Sequence, residues 1–295
     1  ANHGNRCVTG QAYGMLVNYV IVGGWAGFTG NVLKITSGGM LDANTLIVTN
    51  AGNGIVNSGG IYQFSSATPT ITTNGAEATS PIVLTNGIIS FRNLVNAPLG
   101  AGTPLACIAY QGDNGYRLNG ATNASAASYT FDSVANTANP ANYQSLHLTG
   151  VNPRWQGTAL TIGAGGALRA YDTQASVGAA FTNHGAMYIS NATLTFSQAA
   201  TLNGTAVIDL DRLASADGVV FSTALTLGAA SAIQLTTAGS YTNEQPVVLF
   251  RYTGTRSGTF ASEIGVPRKY TINYGPETDG TIRLIPNRGT VLRLQ

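Results

Sequence analysis

Chemistry in this chain would have to start from very few side chains. Asp209-Leu210-Asp211-Arg212 sets two carboxylates at alternate positions, which on a strand puts both on one face. Paired acids at a suitable separation could serve glycoside hydrolysis. The simpler reading is a solvated strand face with Arg212 beside it. Three histidines are present. His147 alternates with Leu146 and Leu148 and so points outward, His184 sits in a corner sequence, and His3 lies near the start. None has an acid or cysteine cluster beside it in sequence, so neither a metal centre nor a His-based catalytic group is expected. Gly112-Asp113-Asn114-Gly115 resembles part of a calcium loop but lacks the later acidic ligand and reads as a turn. No serine sits in a nucleophile-elbow context. Asn123, Asn191 and Asn203 open Asn-x-Ser/Thr triplets, which chance alone produces in a chain this rich in Asn and Thr. Trp25, Tyr110, Tyr116, Trp155 and Tyr171 are the aromatics that could serve sugars, with packing against a neighbouring coil the plainer role for Trp155.

The elements that would position these groups are written more clearly than the groups themselves. The stretch Leu33-Lys34-Ile35-Thr36-Ser37-Gly38-Gly39-Met40-Leu41 recurs as Leu160-Thr161-Ile162-Gly163-Ala164-Gly165-Gly166-Ala167-Leu168. It returns in worn form from Leu225 to Ile233. Each copy alternates apolar and polar residues, turns on small residues, and resumes with an apolar strand residue. One such unit cannot bury its apolar face alone, but stacked units can. The interval from the pair Gly38-Gly39 to the pair Gly59-Gly60 is the size of one β-helix coil. Asn50, Asn53, Asn57, Asn74, Asn86 and Asn96 fall where corners would, and Asn and Gly both tolerate positive φ. No long segment keeps a helical period.

The expected fold is therefore all-β, a parallel β-helix (β-solenoid) with a C-terminal β-hairpin cap. The expected layout is an N-terminal arm over 1–17, a solenoid over 18–236 with irregular insertions near 96–142, and a β-rich cap with a terminal strand over 237–295. In the middle, 121–128 and 135–142 read as excursions from the coil. Cys7 and Cys107 permit one disulfide or none.

Composition restricts the function classes. Charged residues make up 9% of the 295 residues, Gly numbers 37, and the net charge is +2. Surface polarity must come from Asn, Thr, Ser and Gln, which suits an exposed repetitive β protein rather than a cytosolic enzyme. No basic stripe for nucleic acid stands out, and no apolar run is long enough to span a bilayer. The start at Ala1, without a charged and apolar leader, reads as an N-terminus from which a signal peptide has been removed.

The motif set resembles the autotransporter-associated β-strand repeat proteins, a broad group of secreted bacterial proteins. The resemblance rests on Ile21-Val22-Gly23-Gly24, on Asn31 through Gly39, on Leu160 through Gly166, and on Tyr252-Thr253-Gly254, Gly258-Thr259-Phe260, Tyr274-Gly275 and Thr281-Ile282-Arg283-Leu284. It implies an extracellular solenoid of passenger type and carries over no catalytic residue or cofactor.

The functional expectation is an extracellular or cell-surface structural protein, not an enzyme, with no cofactor. Its partner would be itself, in a head-to-tail homopolymer joined by strand addition. Met15, Leu16 and Val17 at one end and Val291, Leu292 and Leu294 at the other are the expected polymer contacts. An adhesin that takes surface glycans is the alternative, and a β-helix polysaccharide-degrading enzyme the third.

Overall fold

The computed structural model describes residues 8–9, 14–23, 30–48, 53–66, 70–73, 82–94, 108–124, 126–133, 143–213, 218–239 and 241–287. Among them there is no helix, and nearly every strand pairs in parallel with the strand one coil further on. The chain is a parallel β-helix.

Register makes this concrete. Gly14, Met40, Ile61, Ile88, Gly115, Ser145, Ala167, Ala186, Thr205, Ala232 and Ser262 are successive partners along one sheet, giving eleven stacked rungs. Coil length varies: the coil from Ala167 to Ala186 is among the shortest, and the coil from Gly115 to Ser145 is half as long again. Each coil enters this sheet from a preceding strand row. Val32–Thr36, Gly54–Ser58, Ile82–Thr85 and Ile108–Gln111 form that row early in the chain. Ser128–Phe131, Ala159–Ile162, Ala180–Asn183, Ala200–Leu202 and Leu225–Leu227 form it later.

The three copies of the repeated stretch occupy the same corner, between these two rows. In each, a backbone N–H closes a tight turn: Gly39 donates to the Thr36 carbonyl at 2.8 Å, Gly166 to Gly163 at 2.9 Å, and Ser231 to Gly228 at 3.0 Å. The interval between the two Gly-Gly pairs is one coil, since Met40 and Ile61, which follow the pairs, are register partners. Small residues are required because the corners of adjacent coils touch through backbone. The Thr205 N–H donates to the Gly185 carbonyl at 2.9 Å, and the Ala186 N–H to that of Gly166 at 3.1 Å.

Strand alternation sends one set of side chains inward. Leu41, Tyr62, Ile89, Tyr116, Leu146, Leu168 and Met187 stack from coil to coil without exposure. Aromatic rings form two internal ladders. Phe64, Phe91 and Tyr116 lie 5.4 and 5.3 Å apart, and Phe181, Phe196, Phe221 and Phe250 lie 4.5, 5.1 and 6.0 Å apart. Trp155 is fully buried and meets Tyr129 and Phe131 edge-on at 5.2 and 5.5 Å.

Three expectations on layout need adjustment. Met15, Leu16 and Val17 belong to the first coil, in strand Gly14–Val22, where they pair with Leu41, Asp42 and Ala43 instead of hanging in a free arm. Their backbone groups find partners there because Met40–Val48 offers an edge of the same length. Thr122–Asn123, expected in an excursion, pairs with Arg154–Trp155 and is part of a coil. The coil also continues past 236. Val247–Ser257 runs parallel to Val219–Phe221, and Ser262–Ile264 parallel to Ala232–Thr236, because Leu249, Phe250 and Tyr252 supply one more buried layer. The hairpin is present beyond it. Thr278–Pro286 lies antiparallel to Val247–Ser257, and Tyr270–Asn273 antiparallel to Thr278–Pro286, which covers one edge of the last coil. Residues 95–107 and 134–142, Cys7, Cys107 and the tail with Val291, Leu292 and Leu294 lie outside the described residues.

Candidate functional site

The paired carboxylates do not form a pair. Strand Thr205–Asp209 ends at Asp209 and the chain turns at Asp211, so the two do not share a strand face. Asp209 accepts hydrogen bonds from the Ser190 hydroxyl at 3.0 Å and from the Asp211 N–H at 3.2 Å. Asp211 accepts from the Thr237 hydroxyl at 2.8 Å and from the Ala238 N–H. Arg212 pairs with Asp172 at 2.9 Å on the open surface. Both acids are thus engaged in holding turns. The Ala238 N–H, with the Thr237 hydroxyl, holds the Asp211 carboxyl below its ordinary value. Linkage then fixes a sign: this contribution is present above the unfolded carboxylate value near 4 and disappears as pH falls through the folded one. Asp211→Asn is expected to lower the urea midpoint at pH 7, and the gap to the parent chain should narrow as pH falls below about 4.

The other expected sites are placed as follows. Gly112-Asp113-Asn114-Gly115 is a coil corner in which the Asp113 N–H donates to the Asn86 side chain at 2.7 Å and Asn114 is buried. Tyr116 and Trp155 are interior residues and offer no ring to a sugar. Tyr171 is half-buried on the outer surface, while Trp25 and the Tyr110 side chain lie outside the described residues. Of the Asn-x-Ser/Thr triplets, Asn123 is fully buried and Asn191 is exposed.

His147 is the exception, because coil stacking gives it neighbours that its local sequence does not. Asp42, Gln63, Ser90, Arg117, His147, Arg169 and Tyr188 are successive register partners on the outward side of the sheet. The N-terminal part of this column is a buried polar network. The Asp42 carboxylate accepts from Gln63 Nε2 at 2.7 Å and Ser65 Oγ at 2.6 Å, while Gln63 Oε1 accepts from Ser90 Oγ at 3.2 Å and Asn119 Nδ2 at 3.1 Å.

The C-terminal part is cationic. His147 lies between Arg117 one coil before and Arg169 one coil after. Its Nε2 is 2.8 Å from Ser145 Oγ. Arg169 donates to the Tyr171 hydroxyl at 3.3 Å and lies over the Tyr188 ring at 4.3 Å, a cation–π contact. Arg117 Nε is buried without a hydrogen-bond partner. Burial, then the charges of Arg117 and Arg169, pushes the His147 ring down to about 3. Burial also lowers Arg117 from its ordinary value.

A serine hydroxyl at 2.8 Å from a histidine nitrogen is the geometry of an activated nucleophile. A ring that protonates only near 3 is too weak a base to take the serine proton at neutral pH. The ring stays neutral between two guanidiniums, and the chemistry this column offers is recognition of negative charge.

Beside the column runs a groove of about 580 Å³. Its floor is the corner backbone at Gly165, Gly166, Gly185 and Gly204; Arg169 and Tyr188 line it together with His184 and Asn203. The sequence carries the signal for the column in Tyr116-Arg117-Leu118, Leu146-His147-Leu148 and Leu168-Arg169-Ala170, each a polar residue between two inward-facing ones. Uneven coil lengths hide their alignment until the corners are matched.

No protein family, curated protein or solved structure matches this chain.

Proposed function

We propose that the protein is an extracellular structural subunit of the autotransporter-repeat type that joins its neighbours end to end. The observation that carries this reading is the strand Gly14–Val22. It pairs along one side with Met40–Val48, and no described strand pairs with its other side. A nine-residue strand with one edge that no described strand covers is a template for another strand. At the same end Ile21 is 59% exposed, next to a hollow of about 220 Å³ lined by Val20, Val22, Val32 and Leu33. The C-terminal region of a second copy, with Val291, Leu292 and Leu294, has the apolar residues to fill that hollow. Such a contact is heterologous and propagates as a filament unless the rotation closes a ring. The low charge of the chain permits close lateral packing. A non-enzymatic role accords with the two acids being spent on turns and with His147 being too weak a base.

A charge on the edge tests this. Ile21→Lys places an ammonium on the open strand without touching the interior, since its neighbours Val20 and Val22 carry the burial. The variant is expected to unfold within ~0.5 kcal/mol of the parent while forming no filaments in electron micrographs. Filaments indistinguishable from those of the parent would refute strand addition at this edge.

A further inference from the structure

We propose that the Arg117–His147–Arg169 stripe and the adjoining groove bind an extended acidic polysaccharide, with its carboxylates on the two guanidiniums. Three observations lead there. First, the two arginines are uncompensated: among the described residues no carboxylate lies within ion-pair distance of either, and the ion pair formed there is Arg212 with Asp172 elsewhere on the surface. Arg117 also keeps its buried Nε without an acceptor. Guanidiniums held in place by packing are preorganised for bidentate recognition of carboxylate. Arg169 is held by the Tyr188 ring and the Tyr171 hydroxyl.

Second, the spacing selects a polymer. Arg117 and Arg169 are two rungs apart, which sets their backbones about 10 Å from one another along the solenoid axis. A chain with acidic groups repeating along its length can follow that spacing. Third, the groove has the lining that sugars need. Its floor is corner backbone without large side chains, and its rim offers the hydrogen-bonding groups of Gln144, His184 and Asn203. A single-stranded nucleic acid would want open aromatic platforms. Here the Tyr188 ring already carries the Arg169 guanidinium, and Tyr116 and Trp155 are buried.

The neutral His147 fits the same picture. It faces Arg117 and Arg169 from the coils on either side and the Ser145 hydroxyl from its own strand. It spaces the charges without adding a third. A polyanion laid over the stripe would offset the two guanidiniums and make protonation of His147 easier.

The test is calorimetric titration of the full chain with polygalacturonate, with neutral dextran and with oligothymidylate, at low salt. Polygalacturonate is expected to bind, and the Arg117→Gln/Arg169→Gln double variant to bind at least tenfold more weakly. Arg212→Gln, on the ion pair outside the groove, should bind as the parent does. In the parent chain, the affinity for polygalacturonate should fall steeply as salt is raised, because the contacts are charge pairs on the surface. That last readout needs no variant and stands if the double variant fails to fold. Absence of polygalacturonate binding, equal binding by a folded double variant, equal affinity for dextran or oligothymidylate, or an affinity that salt leaves unchanged would each overturn the assignment.

Discussion

Valine in place of Gly185 is expected to lower the free energy of unfolding by at least ~3 kcal/mol, a loss seen only where a substitution strikes a specific structural constraint. A Cβ at Gly185 runs into the carbonyl oxygens of Gly163 and Gly166. These are backbone atoms of the preceding coil, so no side chain can swing away. Gly60 makes the same point in another coil, where a Cβ would stand 2.7 Å from the Thr36 carbonyl oxygen and 2.9 Å from that of Gly39. Separating the corners to make room would stretch the bonds from Ala186 to Gly166 and from Thr205 to Gly185, and with them two rungs. Gly239, with nothing within 4 Å of its Cβ position, is the control: Gly239→Ala should shift stability by less than ~0.5 kcal/mol. Urea unfolding of the three chains checks this, and a Gly185→Val chain as stable as the parent would show that the corners do not meet through backbone.

Stability is also expected to fall in mild acid through His147. Its folded value is about 3, against about 6.5 unfolded. Between those values the unfolded chain binds a proton that the folded chain does not, so stability rises with pH. The contribution is complete above pH 6.5 and is lost as pH drops toward 3, at up to ~1.4 kcal/mol per pH unit from this one ring. The window from pH 6.5 to about 4.5 precedes the titration of ordinary carboxylates and isolates the effect. His147→Gln should flatten the stability curve there. Identical slopes for parent and variant, measured by urea unfolding at several pH values, would mean that the ring is not held neutral between the two arginines.

The fold was legible because its signal is local and repeated. Leu33 to Leu41 and Leu160 to Leu168 each spell a strand, a turn and a strand, and the interval between Gly38-Gly39 and Gly59-Gly60 states the coil length once the stacking is assumed. Boundaries were less legible. Gly14–Val22 and Thr122–Asn123 are coil strands whose extent is fixed by the partner strands Met40–Val48 and Arg154–Trp155. The site was legible only in part. His147 showed its outward direction through Leu146 and Leu148, but Arg117 and Arg169 reach it through register, each from a full coil away along the chain. Asp209 and Asp211 misled for the complementary reason. Proximity in sequence suggested one face, and a turn at Asp211 separated them, its carboxylate taken by Thr237 and Ala238.

The central claim is that this solenoid is a filament subunit, and its axial repeat is the most direct measure of it. Eleven rungs at about 4.8 Å each make a body of about 50 Å along the axis. Electron micrographs of the parent chain at high concentration are predicted to show filaments with an axial subunit repeat slightly above that length, and diffraction from aligned filaments a reflection near about 4.8 Å along the filament direction. A monodisperse monomer at the same concentration, or filaments whose coil spacing runs across the axis instead of along it, would contradict end-to-end assembly.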